Sequence, residues 1–323
     1  MNLGTVEQIA KAVLYEGYML YPYRPSSVKN QQRFNFGVLY PESYAQAQGG
    51  VEPSMMRAEC LVEGDTKTIA SVKLRFLQLR ARTRTQADPA DGNAAAAWQE
   101  AMEKEVGVRE CCLAELCKQT QQTDFFFESA MEVAMDFTRR RAAVRGNVNV
   151  SAQELGDSTY KLRIEVRNAT SLATPNIGRD EVLMRSLVSA HLVLGVSDGN
   201  FVSLLEPPRD RQQLAEQCQN AGWWPILVGE PGQRDTMLVS PIILYDYPQI
   251  AKESAGDLFD GTEIDEILSL RIMTLTEEEK KEIRASDERA RLILERTDAM
   301  PPEQFMKLHG VVRGLRPLKE ESL

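Results

Sequence analysis

The chain has 323 residues, of which 43% are hydrophobic and 7% aromatic, a composition typical of globular proteins with a substantial core. Its 38 basic and 47 acidic side chains give a formal net charge of −9. Because nucleic-acid affinity comes mainly from clustered Lys and Arg, this balance argues against a nucleic-acid partner. The five cysteines lack disulfide-framework spacing, no export signal is evident, and no apolar run approaches the roughly 20 residues of a membrane span. We therefore expect a soluble, cytoplasmic protein.

The first predicted element is an amphipathic helix that ends near Gly17. Its apolar residues recur at helical spacing, which predicts one buried face. These residues are Val6, Ile9, Ala10, Val13 and Leu14.

A segment rich in tyrosine and proline follows this helix. Pro22 and Pro25 remove backbone donors and favour extended neighbours, so the segment is predicted to be rigid and irregular. Aromatic and Arg side chains concentrate binding energy at protein interfaces, which makes this segment a candidate partner contact; packing across a sheet edge is the alternative. The candidate residues are Tyr18, Tyr21, Tyr23 and Arg24.

Residues 30–248 carry a dominant β pattern. Alternating apolar runs flank three turn-like segments, Glu63–Thr66, Leu155–Ser158 and Asp198–Gly199, and each predicts a hairpin. The alternation changes phase between Phe76 and Leu77, which predicts a β-bulge. Residues 83–97 show no apolar period and are predicted to form an exposed loop.

Residues 249–323 predict a helical, acidic arm. Thr276 and Glu279 have the spacing of a capping box. Between Glu253 and Glu282 there are ten acidic and three basic side chains, so most of the net charge lies in this stretch. The chain is therefore predicted to be a β-rich α+β protein, with an antiparallel, sandwich-like body between an N-terminal part (1–29) and the helical arm.

Two clusters and two histidines could in principle support chemistry. Helix capping and a solvated acidic face are the favoured interpretation of Asp257, Asp260 and Glu263, and a site for a hard cation or a basic partner is the alternative. Thiolates are soft metal ligands, but the cysteine cluster lacks Cys-x-x-Cys spacing and is interpreted as buried free thiols. Structural roles are expected for both histidines, and no cofactor is predicted. These residues are Cys111, Cys112, Cys117, His191 and His309.

A basic run and a tryptophan pair are two further candidates for contacts. The basic run either forms a solvated strand edge or contacts an anion or an acidic partner. Adjacent indoles in a strand face opposite ways, so either both are covered by the arm or one anchors a protein interface. The residues are Arg139, Arg140, Arg141 and Arg145 in the run, and Trp223 and Trp224 in the pair.

Several blocks of sequence carry a family resemblance. They are residues 16–30, 36–41, 201–208, 240–248 and 256–268. With these blocks the chain resembles an uncharacterised bacterial family whose genes accompany the structural and maturation genes of uptake nickel-iron hydrogenases. The resemblance implies a cytoplasmic accessory, assembly or maturation role and supplies no catalytic residues.

The sequence therefore favours a non-enzymatic scaffold or assembly factor that binds a protein, such as a hydrogenase subunit or maturation factor. A factor that itself handled nickel would be expected to show a set of His and Cys ligands, which two scattered histidines do not provide. Two alternatives stay open. One is a metal-dependent enzyme that uses the acidic cluster, and the other is a self-assembling structural subunit that forms a homo-oligomer.

Overall fold

The computed structural model describes residues 3–15, 33–84, 98–135, 137–249, 272, 275–286, 288–299 and 301. The helices within these ranges are α1 (Leu3–Tyr15), α2 (Glu42–Ala47), α3 (Leu113–Lys118), α4 (Arg179–Leu183), α5 (Gln212–Glu216), α6 (Glu277–Ser286) and α7 (Glu288–Asp298). The strands are β1 (Met55–Arg84), β2 (Trp98–Cys112), β3 (Gln121–Phe127), β4 (Ala130–Val133), β5 (Phe137–Arg141), β6 (Val144–Gly156), β7 (Thr159–Asn168), β8 (Val188–Val202), β9 (Trp224–Leu227) and β10 (Thr236–Ser240).

The chain divides into two compact units. The first comprises Met1–Tyr18 and Gln32–Gln249, and the second comprises Met19–Gln31 and Ile250–Leu323. The three-part division 1–29, 30–248 and 249–323 stays a prediction.

The first unit is built on one antiparallel sheet in the order β3-β6-β7-β1-β8-β10-β9, with β2 and β5 also paired to β1 and β4 paired to β5. Its central strand, β1, is 30 residues long. The first part of β1 pairs with β7, and the later part lies between β2 and β8. The predicted β-rich α+β class is therefore confirmed.

The sheet curls so that distant strands face each other. In a flat sheet β3 would lie roughly 14 Å from β1, because the strand order places β6 and β7 between them and strands are spaced by about 4.8 Å. The ring centroid of Phe76 on β1 nevertheless lies 5.9 Å from that of Phe125 and 5.7 Å from that of Phe127, both on β3. One continuous sheet thus encloses a common core in the predicted sandwich-like manner.

The β6–β7 hairpin has the geometry that its sequence predicts. Asp157 and Ser158 adopt φ values of 48° and 54°, as the two central residues of a type I′ turn require. The ladder begins with Thr159 opposite Gly156. This hairpin prediction is confirmed.

The other two hairpin predictions are wrong, because β1 and β8 run straight through the turn-like segments. Gly64 of β1 pairs with Gly199 of β8, and the ladder is interrupted between Gly64 and Ile69. Both turn signals therefore mark one shared irregularity, at which the ladder between two long neighbouring strands is interrupted.

Thr68 fills this irregularity. Its Oγ1 donates a hydrogen bond to the Asp198 carbonyl at 2.8 Å and accepts one from the Asp65 amide at 2.9 Å. A Cβ atom on Gly64 would lie 2.3 Å from Thr68 Oγ1, and one on Gly199 would lie 2.7 Å from Thr68 Cγ2. Glycine is required at both positions for close approach to this side chain.

A second irregularity follows at the predicted change of phase. Arg75 lies opposite His191, but Leu77 lies opposite Val188, so β8 contributes one extra residue. Ser189, within this bulge, has a φ of 52°. The predicted bulge is confirmed, with the extra residue on the partner strand.

α1 packs against the sheet where β8, β9 and β10 lie side by side. All five residues of its predicted apolar face are buried, and four of them pack against Ile226, Val228 and Leu238. Ser189 Oγ donates to the Val13 carbonyl at 2.9 Å. The helix prediction is therefore confirmed.

In the second unit the described residues include α6 and α7. Glu279 donates its amide to Thr276 Oγ1 at 3.2 Å, and the Thr276 amide donates to the Glu279 carboxylate at 2.9 Å, which confirms the capping box. Lys280 and Arg284 both pair with Asp298, at 2.7 and 3.1 Å, and join α6 to α7. Among the helices that the structure describes, none has the length and apolar character needed to cross a membrane.

Candidate protein-interaction site

A groove lies where the chain passes from β3 through the β4–β5 hairpin into β6. It has a volume of about 720 Å3. Its principal side chains come from the end of β3, from both hairpin strands, from the start of β6 and from Arg185, two residues after α4. We call it the arginine groove and define it by Phe126, Met131, Arg140, Arg141, Arg145 and Arg185.

Two of the four arginines are held by a single carboxylate. Arg140 Nη2 pairs with Glu181 at 2.8 Å, and Arg185 Nη1 pairs with the same carboxylate one helical turn away. The hydrogen bond from Arg140 is the main reason that the pKa of Glu181 lies below its usual value. These two guanidinium groups are therefore fixed in place and partly neutralised.

The other two arginines have no carboxylate partner within 4.0 Å among the described residues. Arg141 Nε donates to the Glu128 carbonyl at 3.0 Å. The guanidinium carbon of Arg145 lies 5.1 Å from the centroid of the Phe126 ring. The pKa of Lys104 is lowered chiefly by burial and then by Arg141, which agrees with an excess of positive charge here.

Small side chains also line the groove, and they include Ala142, Ala143 and Ala169. Thr170 fixes the backbone beside them, since its Oγ1 accepts from the Arg145 amide at 3.0 Å and donates to the Arg145 carbonyl at 3.2 Å. The backbone that carries Arg145 is thus firmly held while its side chain stays exposed.

An exposed apolar stripe continues from the groove along the hairpin. Met131 is 69% exposed and Phe126 is 52% exposed. Met131 and Val133 lie on one face of β4, and Met135, which follows the strand, is 93% exposed. Exposed apolar groups gathered beside arginines are typical of protein-binding surfaces.

Arg139 differs from its neighbours in the basic run. Its Nε pairs with the mostly buried Glu100 at 2.9 Å, and it is not among the side chains that line the groove. Arg80 pairs with the same carboxylate at 2.7 Å, and the guanidinium carbon of Arg139 lies 4.2 Å from the centre of the Phe137 ring. Arg139 therefore stabilises the hairpin and does not contribute to the groove.

The tryptophan pair is split between core and surface. Trp223 is fully buried, and its indole N–H donates to the Ala190 carbonyl at 2.7 Å. Trp224 is 41% exposed on β9. A partner-binding role for Trp223 is wrong, because a buried ring with a satisfied N–H cannot reach another protein; the same role for Trp224 stays a prediction.

Several other predicted residues lie outside the described part of the chain. They are the candidate contacts Tyr18, Tyr21, Tyr23 and Arg24, the candidate ligands Asp257, Asp260 and Glu263, the predicted loop 83–97 apart from its first two residues, and His309. Their roles stay predictions.

The three cysteines of the cluster lie in different environments. Cys111 is buried, whereas Cys112 is half-buried and Cys117 is exposed, so only the first is the buried thiol that was expected. Within the described ranges, no three His, Cys, Asp or Glu side chains come together in a way that could hold a metal ion.

His191 has a structural environment. It is fully buried, and its Nδ1 lies 3.0 Å from the Ser189 carbonyl, to which it donates. Burial lowers the pKa of the imidazole to about 4. The ring is therefore neutral near pH 7.

The arginine groove offers fixed cations, exposed apolar side chains and an accessible strand edge. This combination suits the binding of a protein surface. No protein-family model and no curated protein sequence matches the chain. The sequence had indicated Arg140, Arg141 and Arg145 but missed Phe126, Met131 and Arg185; the alternating apolar residues of 131–135 beside the basic run were the available signal.

Proposed function

We propose that this protein is a non-enzymatic interaction factor that binds a partner protein through the arginine groove. The observation that carries the proposal is the placement of Arg141 and Arg145, without a described carboxylate partner, beside the exposed Phe126 and Met131. Arginine and aromatic side chains contribute a disproportionate share of binding energy at interfaces. Exposed apolar side chains gathered in one place are a feature of protein–protein interaction sites.

The more specific form of the proposal is a cytoplasmic assembly or accessory role for a nickel-iron hydrogenase. It is supported by the sequence resemblance described above and by nothing else. The partner would then be a hydrogenase subunit or a maturation factor. A metal-dependent activity at Asp257, Asp260 and Glu263 gains no support from the described residues.

Affinity purification of the tagged full-length chain from its native cell tests the proposal. We expect a hydrogenase subunit or maturation factor to be recovered with the unaltered protein and to be depleted about tenfold or more with the double substitution Arg141→Glu and Arg145→Glu. Equal recovery with both proteins would show that the groove is not the binding site. Stoichiometric metal in the purified protein would favour the enzyme instead.

A further inference from the structure

We propose that the arginine groove binds an acidic, extended protein segment, whose carboxylates pair with Arg141 and Arg145. This inference rests on the proposed function and specifies the chemistry of the partner. It follows from three features of the groove, which are its available guanidinium donors, its apolar stripe and its free strand edge.

The guanidinium groups of Arg141 and Arg145 each make one described contact, and most of their N–H donors remain available for a ligand. Only the Nε of Arg141 is used within the described part of the protein, in its bond to the Glu128 carbonyl, so both terminal nitrogens remain available. The guanidinium carbon of Arg145 lies over the Phe126 ring, 5.1 Å from its centroid, and the guanidinium N–H groups have no hydrogen-bond acceptor among the described residues. A carboxylate can accept two parallel N–H bonds from one guanidinium, and such paired bonds are stronger than single neutral ones.

The apolar stripe favours an extended ligand over a compact one. A molecule that filled only the groove would leave Val133 and Met135 uncovered, since both lie beyond its lining. A chain that ran along β4 would cover them together with Met131. If acidic and apolar residues alternated along the partner segment, its acidic side chains would face the arginines and its apolar side chains would face the methionines.

β4 offers backbone groups to such a chain. Among the described strands it pairs only with β5, and all four of its residues are exposed. The N–H and C=O groups on its second edge are therefore available to an added strand. An extended segment gains these bonds regardless of its sequence, while the arginines select for acidic residues.

The charge distribution favours a protein segment over a nucleic acid. Glu132 and Glu181 lie within or beside the site. A polyanion with regularly spaced phosphates would meet these charges, whereas a peptide with two or three carboxylates need contact only the arginines. At physiological ionic strength charges more than about 8 Å away are largely screened, so the local cations dominate.

Fluorescence anisotropy with synthetic peptides tests the inference on the full-length protein. The probe is a fluorescein-labelled peptide of about ten residues that alternates Glu and Val; the matched peptide alternates Gln and Val. We expect the acidic peptide to bind at least about tenfold more tightly than the Gln peptide. The substitutions Arg141→Glu and Arg145→Glu should remove this preference.

The matched control variant carries Lys67→Glu and Arg209→Glu, which change the net charge by the same amount at exposed positions outside the groove. It should bind the acidic peptide as the unaltered protein does. Circular dichroism and thermal unfolding establish that both variants are folded. Equal weakening in both variants, or equal binding of both peptides, would overturn the inference.

Two further outcomes separate this inference from the proposed function. If a single-stranded oligonucleotide of similar length displaced the peptide and bound more tightly, the groove would be a nucleic-acid site and the inference would be wrong. If the peptides failed to bind but purification still recovered a partner that the groove substitutions released, the acidic chemistry would be wrong while the interaction function stood.

Discussion

Trp223 and Trp224 show at the scale of single residues how neighbours of one type take different roles. The indole N–H of Trp223 satisfies a buried carbonyl, whereas Trp224 is partly exposed at the edge of the sheet. Trp223→Phe should lower the free energy of unfolding by about 2 kcal/mol, because it opens a cavity and leaves the Ala190 carbonyl without its donor. Trp224→Phe, as the matched control, should change it by less than about 0.5 kcal/mol in urea unfolding. Similar losses in both variants would contradict these assignments.

His191 makes the protein sensitive to acid. The folded-state pKa of about 4 lies below the ordinary value of 6.5, so between these values the unfolded chain binds a proton that the folded chain does not. The contribution of His191 to the free energy of unfolding is complete above about pH 6.5 and decreases as the pH falls towards 4. The difference between the two pKa values corresponds to a decrease of about 3 kcal/mol in the free energy of unfolding.

Urea unfolding between pH 7 and pH 4, followed by tryptophan fluorescence, measures this loss, since all three tryptophans lie in the first unit. His191→Asn keeps a donor for the Ser189 carbonyl but does not titrate, and it should show a much flatter pH dependence. The comparison concerns the slope and not the absolute stability. An unchanged slope in the variant would show that other groups cause the acid sensitivity.

At the scale of secondary-structure elements, the local sequence pattern correctly predicted the features that depend only on residues close to one another in the chain. The apolar face of α1, the β6–β7 turn and the capping box of α6 each need residues within one helix or hairpin, and all three are present. The turn-like segments at Gly64 and Gly199 did not predict hairpins correctly, because the conformation of each segment depends on its pairing with the other. They meet through the pairing of β1 with β8, two strands more than a hundred residues apart in sequence.

The shared irregularity at these glycines yields a prediction. A Cβ on residue 199 would lie 2.7 Å from Thr68 Cγ2 and 2.9 Å from the Glu63 carbonyl oxygen. Gly199→Ala should therefore lower the free energy of unfolding by about 1–3 kcal/mol. Gly107→Ala is the matched control on β2, where a Cβ would meet nothing within 4 Å. It should leave stability unchanged or raise it by up to about 1 kcal/mol in the same urea titration.

If Gly199→Ala were as stable as the Gly107 control, the close packing around Thr68 would not constrain the two strands.

At the scale of the whole molecule, the site combines features that the sequence shows with others that only the fold creates. Arg140, Arg141 and Arg145 stand out as a basic run. Arg139 belongs to the same run and does not differ from the others in local sequence pattern, yet it pairs with Glu100 and lies outside the groove. Phe126 and Arg185 reach the groove through strand pairing and the position of α4, which no local pattern reveals.

Charge is also distributed unevenly over the chain. Most of the net charge of −9 belongs to the stretch from Glu253 to Glu282, while the groove gathers four arginines at one place in the first unit. The net charge of the chain therefore says little about the chemistry of the partner. The local excess of positive charge at the groove says more, because salt screening confines the effect of each charge to its immediate surroundings.

Site-specific photo-crosslinking in the native cell tests the proposed interaction most directly. Benzoylphenylalanine is placed at Met131 in the groove or, as the control, at the exposed Val51 outside the groove. We predict a crosslinked complex with another protein from position 131 only, and its loss when Arg141→Glu and Arg145→Glu are added. The absence of a crosslink at position 131, or the same products from both positions, would contradict the proposal that this groove binds a partner.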